Sequence, residues 1–70
     1  MNIYLIRHGD AERTKAGLSD FERELTKEGR VQLKASVEKW KNLVDNFDYI
    51  ISSPLVRAVQ TAQIIAEAFN

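Results

Sequence analysis

A continuous apolar run over residues 3–6 leads directly into Arg7, His8 and Gly9, and this junction strongly constrains how the chain can fold. β-Branched, aromatic and aliphatic side chains without polar alternation are typical of a strand that is buried on both faces of a parallel sheet. We therefore predict a strand over Asn2–Arg7. Its carboxyl end would present the arginine, the histidine and the glycine.

A loop and a helix are predicted to follow this strand. Residues 9–25 carry many charges and no sustained apolar period, so we predict an exposed, functional loop with one helical turn around Phe21. Thr26 is predicted to be the N-cap of a helix that ends near Asp45 and Asn46. Its apolar stripe is predicted to consist of Leu33, Val37, Trp40 and Val44.

A second strand and helix complete the predicted order. Residues 48–52 form another short β-rich run, Ser53 is predicted to cap the next helix, and Pro54 suits its first position. The packing stripe of this helix is predicted to be Ala58, Ala62, Ile65 and Phe69. Two strands joined by a helix imply a parallel pair with a right-handed crossover.

Such a pair has open edges and uncovered faces, so we expect the chain to be the first part of a larger α/β domain. We also expect it to expose apolar surface and to self-associate or dissolve poorly.

Charge and composition exclude several function classes. The ten basic and ten acidic residues balance, which argues against nucleic-acid or membrane-surface partners. The chain has no cysteine, so disulfides and thiolate metal sites are excluded, and a reducing compartment fits. The apolar run at residues 3–6 is too short for a membrane span or a signal peptide. We therefore expect a soluble, cytoplasmic protein.

Polar residues follow both predicted strands at the edge where open α/β sheets bind ligands. Arg7, His8 and Gly9 follow the first strand, and Ser52, Ser53 and Arg57 follow the second. Guanidinium groups match phosphate geometry, and the free N–H groups at a helix start attract anions. The combination predicts a bound phosphoryl group.

His8 has a specific role available in such a site. A neutral imidazole can attack phosphorus with one ring nitrogen if an acceptor holds the other, and a backbone carbonyl at Gly9 could be that acceptor. Gly9 also allows the backbone to approach closely.

Structural explanations compete with these roles. A lone histidine at a strand end is more often a satisfied polar residue, arginines near helix starts are commonly solvated, and capping explains Ser53 and Pro54. Trp40 is expected in the core. Asp10 and Glu12 are interpreted as loop charges that could exchange protons near the site.

Three segments together resemble the histidine phosphatase superfamily, which includes the phosphoglycerate mutases. They are "RHG" after the first strand, "LTKEG" before a helix, and "SSPLVRAVQTA" after the second strand, in family order between Ile3 and Thr61. The stretch "RHGDAE" is most similar to the small phosphohistidine phosphatases of the SixA type. The mutase branch usually carries an asparagine shortly after the glycine, where this chain reads "DAERT".

The resemblance implies a fold class and a site. The fold would be α/β, a parallel-sheet three-layer sandwich of the phosphoglycerate mutase-like type. Residues 1–70 would be the N-terminal, β-loop-α-β-α portion of a single histidine phosphatase domain. His8 would be the phospho-accepting nucleophile, and Arg7 and Arg57 would act on the phosphoryl group. Gly9 and Arg23 would add substrate contacts, without a metal or an organic cofactor.

The chain departs from the family in containing only one histidine, because family members face the first with a second in the later half of the domain. We therefore expect half of a phosphate pocket and little activity from these residues alone. The expected function is dephosphorylation of phosphohistidine in a signalling protein. Alternatives are a sugar-phosphate phosphatase or mutase of the same superfamily, or a non-catalytic phosphate-binding module. The partner would be a phosphorylated protein or small molecule, and the oligomeric state stays open.

Overall fold

A computed structural model describes residues 3–9, 11–13 and 19–69 of the chain. Its elements are a 3-10 turn (Asp20–Glu22), helix α1 (Lys27–Trp40) and helix α2 (Val56–Phe69). The two α-helices pack against each other, and the 3-10 turn packs against α2. The predicted helical turn around Phe21 is confirmed by the 3-10 turn. Neither helix in the described residues has the length and apolar character that a membrane crossing requires.

Helix α1 starts where the sequence predicts. The Thr26 side chain accepts a hydrogen bond from the Gly29 N–H at 2.9 Å, which satisfies a backbone donor at the helix start. Leu33 and Val37 from the predicted stripe are buried, and Val37 is fully so. Trp40 is only partly buried and packs against the cluster of buried apolar residues that contains Leu33 and Val37.

The predicted end of this helix near Asp45 is wrong, because α1 ends at Trp40. Beyond that residue the N–H groups of Asn42 and Leu43 donate to carbonyls three residues back, at 3.1 and 2.8 Å. These shorter-range bonds tighten the chain into a turn. The Leu43 side chain is left exposed instead of continuing an apolar helix face.

Helix α2 begins at Val56, two residues later than predicted. The Ser53 hydroxyl oxygen accepts a hydrogen bond from the Leu55 N–H at 3.1 Å, so this serine caps the approach to the helix. The predicted apolar stripe is correct for the buried Ile65, whereas its other members are half-buried. The buried face consists of Arg57, Thr61, Ile64 and Ile65.

Residues 3–7 and 48–52 do not form the predicted strands. Within the described residues, β-pairing is limited to an isolated antiparallel bridge between Ala11 and Leu25. A strand buried on both faces needs neighbours on each side, yet Leu5 is 95% exposed and Ile51 is 92% exposed. The parallel pair is therefore not formed by these residues.

The core lies between the helices and the segment that precedes α1. It contains Leu25, Leu33, Val37, Ile64 and Ile65. The Phe47 ring packs edge-on against Tyr4 and Phe69, with ring centroids 5.8 and 4.8 Å apart. This contact attaches the N-terminal segment to the end of α2.

Gln60 joins the long loop to α2. Its Oε1 accepts a hydrogen bond from the Leu25 N–H at 2.8 Å, and its Nε2 donates to Glu24 Oε1 at 2.9 Å. The Glu12 N–H donates to the Glu24 carbonyl at 2.8 Å. Residues 24 and 25 are therefore bonded directly to α2, the helix that carries Arg57. Glu12 is joined to the helix through Glu24.

Replacing Leu33 with alanine is expected to lower the free energy of unfolding by about 2–5 kcal/mol, because the change leaves a cavity between the helices. Val31→Ala on the exposed side of α1 is the control, with an expected change within about 0.5 kcal/mol. Urea denaturation followed by circular dichroism measures both. Equal losses for the two variants would contradict the assigned core.

The exposed apolar segments predict self-association of the chain. Analytical ultracentrifugation should show oligomers whose fraction falls when Leu5 and Ile51 are both replaced with threonine. Lys34→Thr, at an exposed polar position of α1, is the control and should leave the oligomers unchanged. A monomer at all concentrations would contradict this prediction.

Candidate active site

The His8 ring is held at both nitrogens. Its Nδ1 lies 2.7 Å from the Gly9 carbonyl oxygen, and its Nε2 lies 3.2 Å from the Nε of Arg57. A carbonyl oxygen can only accept, so Nδ1 carries the proton and donates it, while Nε2 accepts from the guanidinium. The Gly9 contact is the one that the sequence suggested. It leaves the Nε2 lone pair directed toward the arginine.

Arg57 is buried in the first turn of α2, although it is a charged residue. Each of its three guanidinium nitrogens donates a hydrogen bond. Nε donates to His8, Nη1 donates to the Asp20 carbonyl oxygen at 2.7 Å, and Nη2 donates to Asp20 Oδ2 at 3.2 Å. Burying a charge is costly unless it is paired and hydrogen-bonded, and here both conditions are met.

Asp20, a residue that the sequence did not mark as functional, completes this cluster. Its Oδ1 accepts from Arg23 Nη1 at 2.8 Å while its Oδ2 accepts from Arg57. Hydrogen bonds from Arg23 and then from Arg57 lower the pKa of the Asp20 carboxyl below its usual value. The available signal was the spacing of Asp20 and Arg23 across a predicted helical turn, which places them on one face.

Arg23 reaches the cluster indirectly. It pairs with Asp20, and its Nε donates to the Glu12 carbonyl oxygen. Glu12 in turn accepts a hydrogen bond from the Glu24 N–H at 3.4 Å. Arg23 is thus connected to His8 through Asp20 and Arg57. Its role as a third phosphate contact remains a prediction, and Asp10 lies outside the described residues.

Gly9 is a point of close approach to α1. A Cβ atom at this position would lie 3.2 Å from the Gly29 carbonyl oxygen and 3.5 Å from a Leu25 methyl group. A side chain would therefore press the His8 loop away from the helix. The close contact that the sequence predicted here is made with protein backbone.

Arg7 is exposed and lines an open cavity of 340 Å³ between the N-terminal segment and α1. The other lining residues are Leu5, Ile6, Gly9, Gly29, Gln32, Leu33, Ser36 and Trp40. Among the described residues, no hydrogen bond joins Arg7 to His8 or to Arg57. The structure therefore brings together His8 and Arg57 but leaves Arg7 apart from their cluster.

Comparison with known proteins identifies the class. Residues 3–70 match the profile of the histidine phosphatase superfamily (branch 1). A crystal structure from Agrobacterium tumefaciens that carries the name phosphohistidine phosphatase SixA superposes with a TM-score of 0.84 at 31% identity. The match covers 93% of this chain and 42% of that one. The chain belongs to the histidine phosphatase superfamily.

Sequence relatives carry the names of more than one kind of enzyme. The chain is 42% identical over 64 residues to the mitochondrial serine/threonine-protein phosphatase Pgam5 of Drosophila virilis, covering 91% of this chain and 22% of that protein. It is 40% identical over 72 aligned positions to a protein of Enterobacter sp. (strain 638) named as phosphoglycerate mutase GpmB, covering 97% and 32%. The chain thus spans less than half the length of these relatives.

The lowered pKa of Asp20 predicts how its contribution to stability depends on pH. Because the folded state lowers this pKa, the carboxylate stabilises folding above its unfolded value of about 3.9. That contribution is lost as the pH falls through the folded value. The stability of Asp20→Asn should therefore decrease less than that of the wild type as the medium is acidified. The effect is small, because the Asp20 carboxylate is largely exposed.

Urea denaturation of both proteins at neutral and acidic pH measures this difference. Asp45→Asn is the control, since Asp45 is exposed in the segment after α1 and lies outside the cluster. Its stability should follow the wild-type pH dependence. Identical acid profiles for Asp20→Asn and the wild type would contradict the assigned ion pairs.

Proposed function

We propose that this chain supplies the nucleophile and part of the phosphate-binding machinery of a phosphatase that works through a phosphohistidine at His8. The observation that supports this most directly is the state of the ring. Nδ1 donates to the Gly9 carbonyl, and Nε2 is an acceptor beside a buried guanidinium. A held ring with a lone pair at a cationic site suits attack on a phosphoryl group.

The proposed reaction has two steps. In the first, Nε2 forms a bond to phosphorus, the bond from phosphorus to the leaving group breaks, and the leaving group takes up a proton from solvent. In the second, water attacks the same phosphorus, the bond between phosphorus and Nε2 breaks, one proton of that water returns to solvent, and inorganic phosphate leaves. His8 is then neutral again. The Nδ1 contact with Gly9 keeps one tautomer throughout.

The arginines would stabilise the charge on the transferring group. Arg57 lies beside the attacking nitrogen, and its Nε–H would turn from His8 to a phosphoryl oxygen when the anion enters. Arg7 would bind the phosphoryl group from the side of the cavity along α1. Gly9 and Arg23 would contribute to substrate binding, the latter through the charge that it brings beside Asp20.

Phosphohistidine in a protein is the proposed substrate. The similarity to the SixA structure supports this branch, and the phosphatase and mutase relatives keep a sugar-phosphate substrate as the alternative. For a complete domain we propose the parallel-sheet sandwich of the phosphoglycerate mutase-like type, with residues 1–70 as its N-terminal portion. A cytoplasmic location also stays a proposal.

Covalent labelling tests the nucleophile. After incubation with phosphoramidate, the chain should carry an acid-labile, base-stable phosphoryl group on His8, located by mass spectrometry. His8→Ala should remove the label while keeping part of the affinity for inorganic phosphate. Arg57→Ala should weaken phosphate binding about 10- to 100-fold, because a charge-assisted hydrogen bond contributes about 1.5–3 kcal/mol.

Arg30→Ala is the matched control, since Arg30 lies on α1 and its ion pair is with Glu24 at 3.9 Å and not with a residue of the His8–Arg57–Asp20 cluster. Its labelling should equal that of the wild type. Phosphate binding without a covalent label on His8 would overturn the enzyme proposal and favour a binding module. We expect little release of phosphate from these residues alone, so turnover equal to that of a complete relative would contradict the half-pocket interpretation.

A further inference from the structure

Asp20 holds Arg57 by two different groups of the same residue. Its backbone carbonyl accepts from Nη1 at 2.7 Å, and its carboxylate accepts from Nη2 at 3.2 Å. These two nitrogens form the end of the planar guanidinium group. The third nitrogen, Nε, lies in the same plane and donates to His8. One residue thus determines which edge of the guanidinium points at the ring.

Asp20 is itself fixed in place. The Arg23 N–H donates to its carbonyl at 3.2 Å, which closes the 3-10 turn, and Arg23 Nη1 donates to its carboxylate at 2.8 Å. The Ser19 hydroxyl donates to Glu22 Oε1 at 2.9 Å across the same turn. Arg23 is held further by the Glu12 carbonyl. Hydrogen bonds that do not involve Arg57 therefore hold the turn in place.

The two arginines at the site also favour a negatively charged residue between them. Arg23 and Arg57 both lie against Asp20, so the three side chains together carry one net positive charge. Without the carboxylate, two like charges would repel, and the buried guanidinium would lose a charged partner. The Asp20 backbone carbonyl would then be the one group of this residue that still holds the guanidinium, which fixes its orientation less firmly.

We propose that Asp20 is a positioning residue for phosphoryl transfer, aiming the Nε edge of Arg57 at His8 Nε2. This inference rests on the proposed function, because the aimed group must stabilise charge on a phosphoryl group at that nitrogen. Asp20 has no contact with the ring and acts through Arg57. Orientation of a catalytic group is worth large factors in rate, since a displacement of about 1 Å can cost about 100-fold.

The contrasting role for the same carboxylate is that of an internal anion that blocks Arg57 until phosphate displaces it. The two roles predict opposite results. A competing anion, once removed, gives tighter phosphate binding and faster labelling. A positioning group, once removed, gives slower labelling at saturating donor, while the donor concentration at half-saturation changes much less.

The test compares Asp20→Ala and Asp20→Asn with the wild-type chain. Glu22→Gln is the matched control, because it removes one negative charge from the same exposed turn, keeps an Oε1 that accepts from Ser19, and changes no hydrogen bond to Arg57. The first measurement is the Nε–H signal of Arg57 in ¹H–¹⁵N NMR, assigned with Arg57→Lys, and its nuclear Overhauser effect to the His8 ring. The second is the rate of His8 labelling by phosphoramidate at increasing donor concentration.

In Asp20→Ala the backbone carbonyl still accepts from Nη1, but the carboxylate that accepts from Nη2 is lost. The Overhauser effect should therefore weaken, and the labelling rate at saturation should fall about 10- to 100-fold. Asp20→Asn keeps in addition a neutral side-chain acceptor, so it should restore part of both signals. Glu22→Gln should match the wild type. Circular dichroism of all variants should be unchanged, and if Asp20→Ala does not fold, the Asp20→Asn result decides.

Three results would overturn the proposal. An undiminished Overhauser effect and an unchanged rate in Asp20→Ala would show that Arg57 is aimed without the Asp20 carboxylate, while the label on His8 would still support the proposed function. Faster labelling and tighter binding of inorganic phosphate would establish the competing-anion role. A wild-type chain without label on His8 would refute the proposed function itself, even with the Overhauser effect present.

Discussion

The charge of Arg57, buried at the start of α2, is the constraint around which the site is arranged. A buried guanidinium must be paired and hydrogen-bonded, and Asp20 meets most of that need from a turn 37 positions earlier in the chain. The loop before α1 must therefore fold against α2. Arg23 and the Glu12 carbonyl extend the same network into the rest of the loop. The loop before α1 thus forms one side of the site.

A second constraint comes from packing between the N-terminal segment and α1. Gly9 lies so close to the Gly29 carbonyl that any side chain would move it, and this contact places the neighbouring histidine at the edge of the helix pair. Leu25 contributes to both regions, because it is buried in the core and its N–H donates to Gln60. The same residue is therefore part of the apolar core and of the hydrogen bonds that join the loop to α2, the helix that carries Arg57.

The members of the site hold one another through hydrogen bonds. The Gly9 carbonyl sets the tautomer of His8, Arg57 faces its free nitrogen, and Asp20 orients Arg57. Arg7, in contrast, lines an open cavity beside exposed apolar residues 3–6. The hydrogen-bonded part of the site therefore lies beside α2, and the part near Arg7 is open to solvent.

Local signals alone predicted the cap at Thr26, the buried Leu33 and Val37 of α1 and the turn around Phe21, since each depends on neighbouring residues and side-chain type. The end of α1, the buried face of α2 and the missing strand pairs depended on tertiary contacts. Hydropathy cannot indicate that Arg57 is buried, because its burial depends on a carboxylate distant in the sequence. Nor can an apolar run form a strand by itself, since a strand exists only when another chain segment accepts its hydrogen bonds. The role of Asp20 was decided in the same way, by which residues the folded chain brings together.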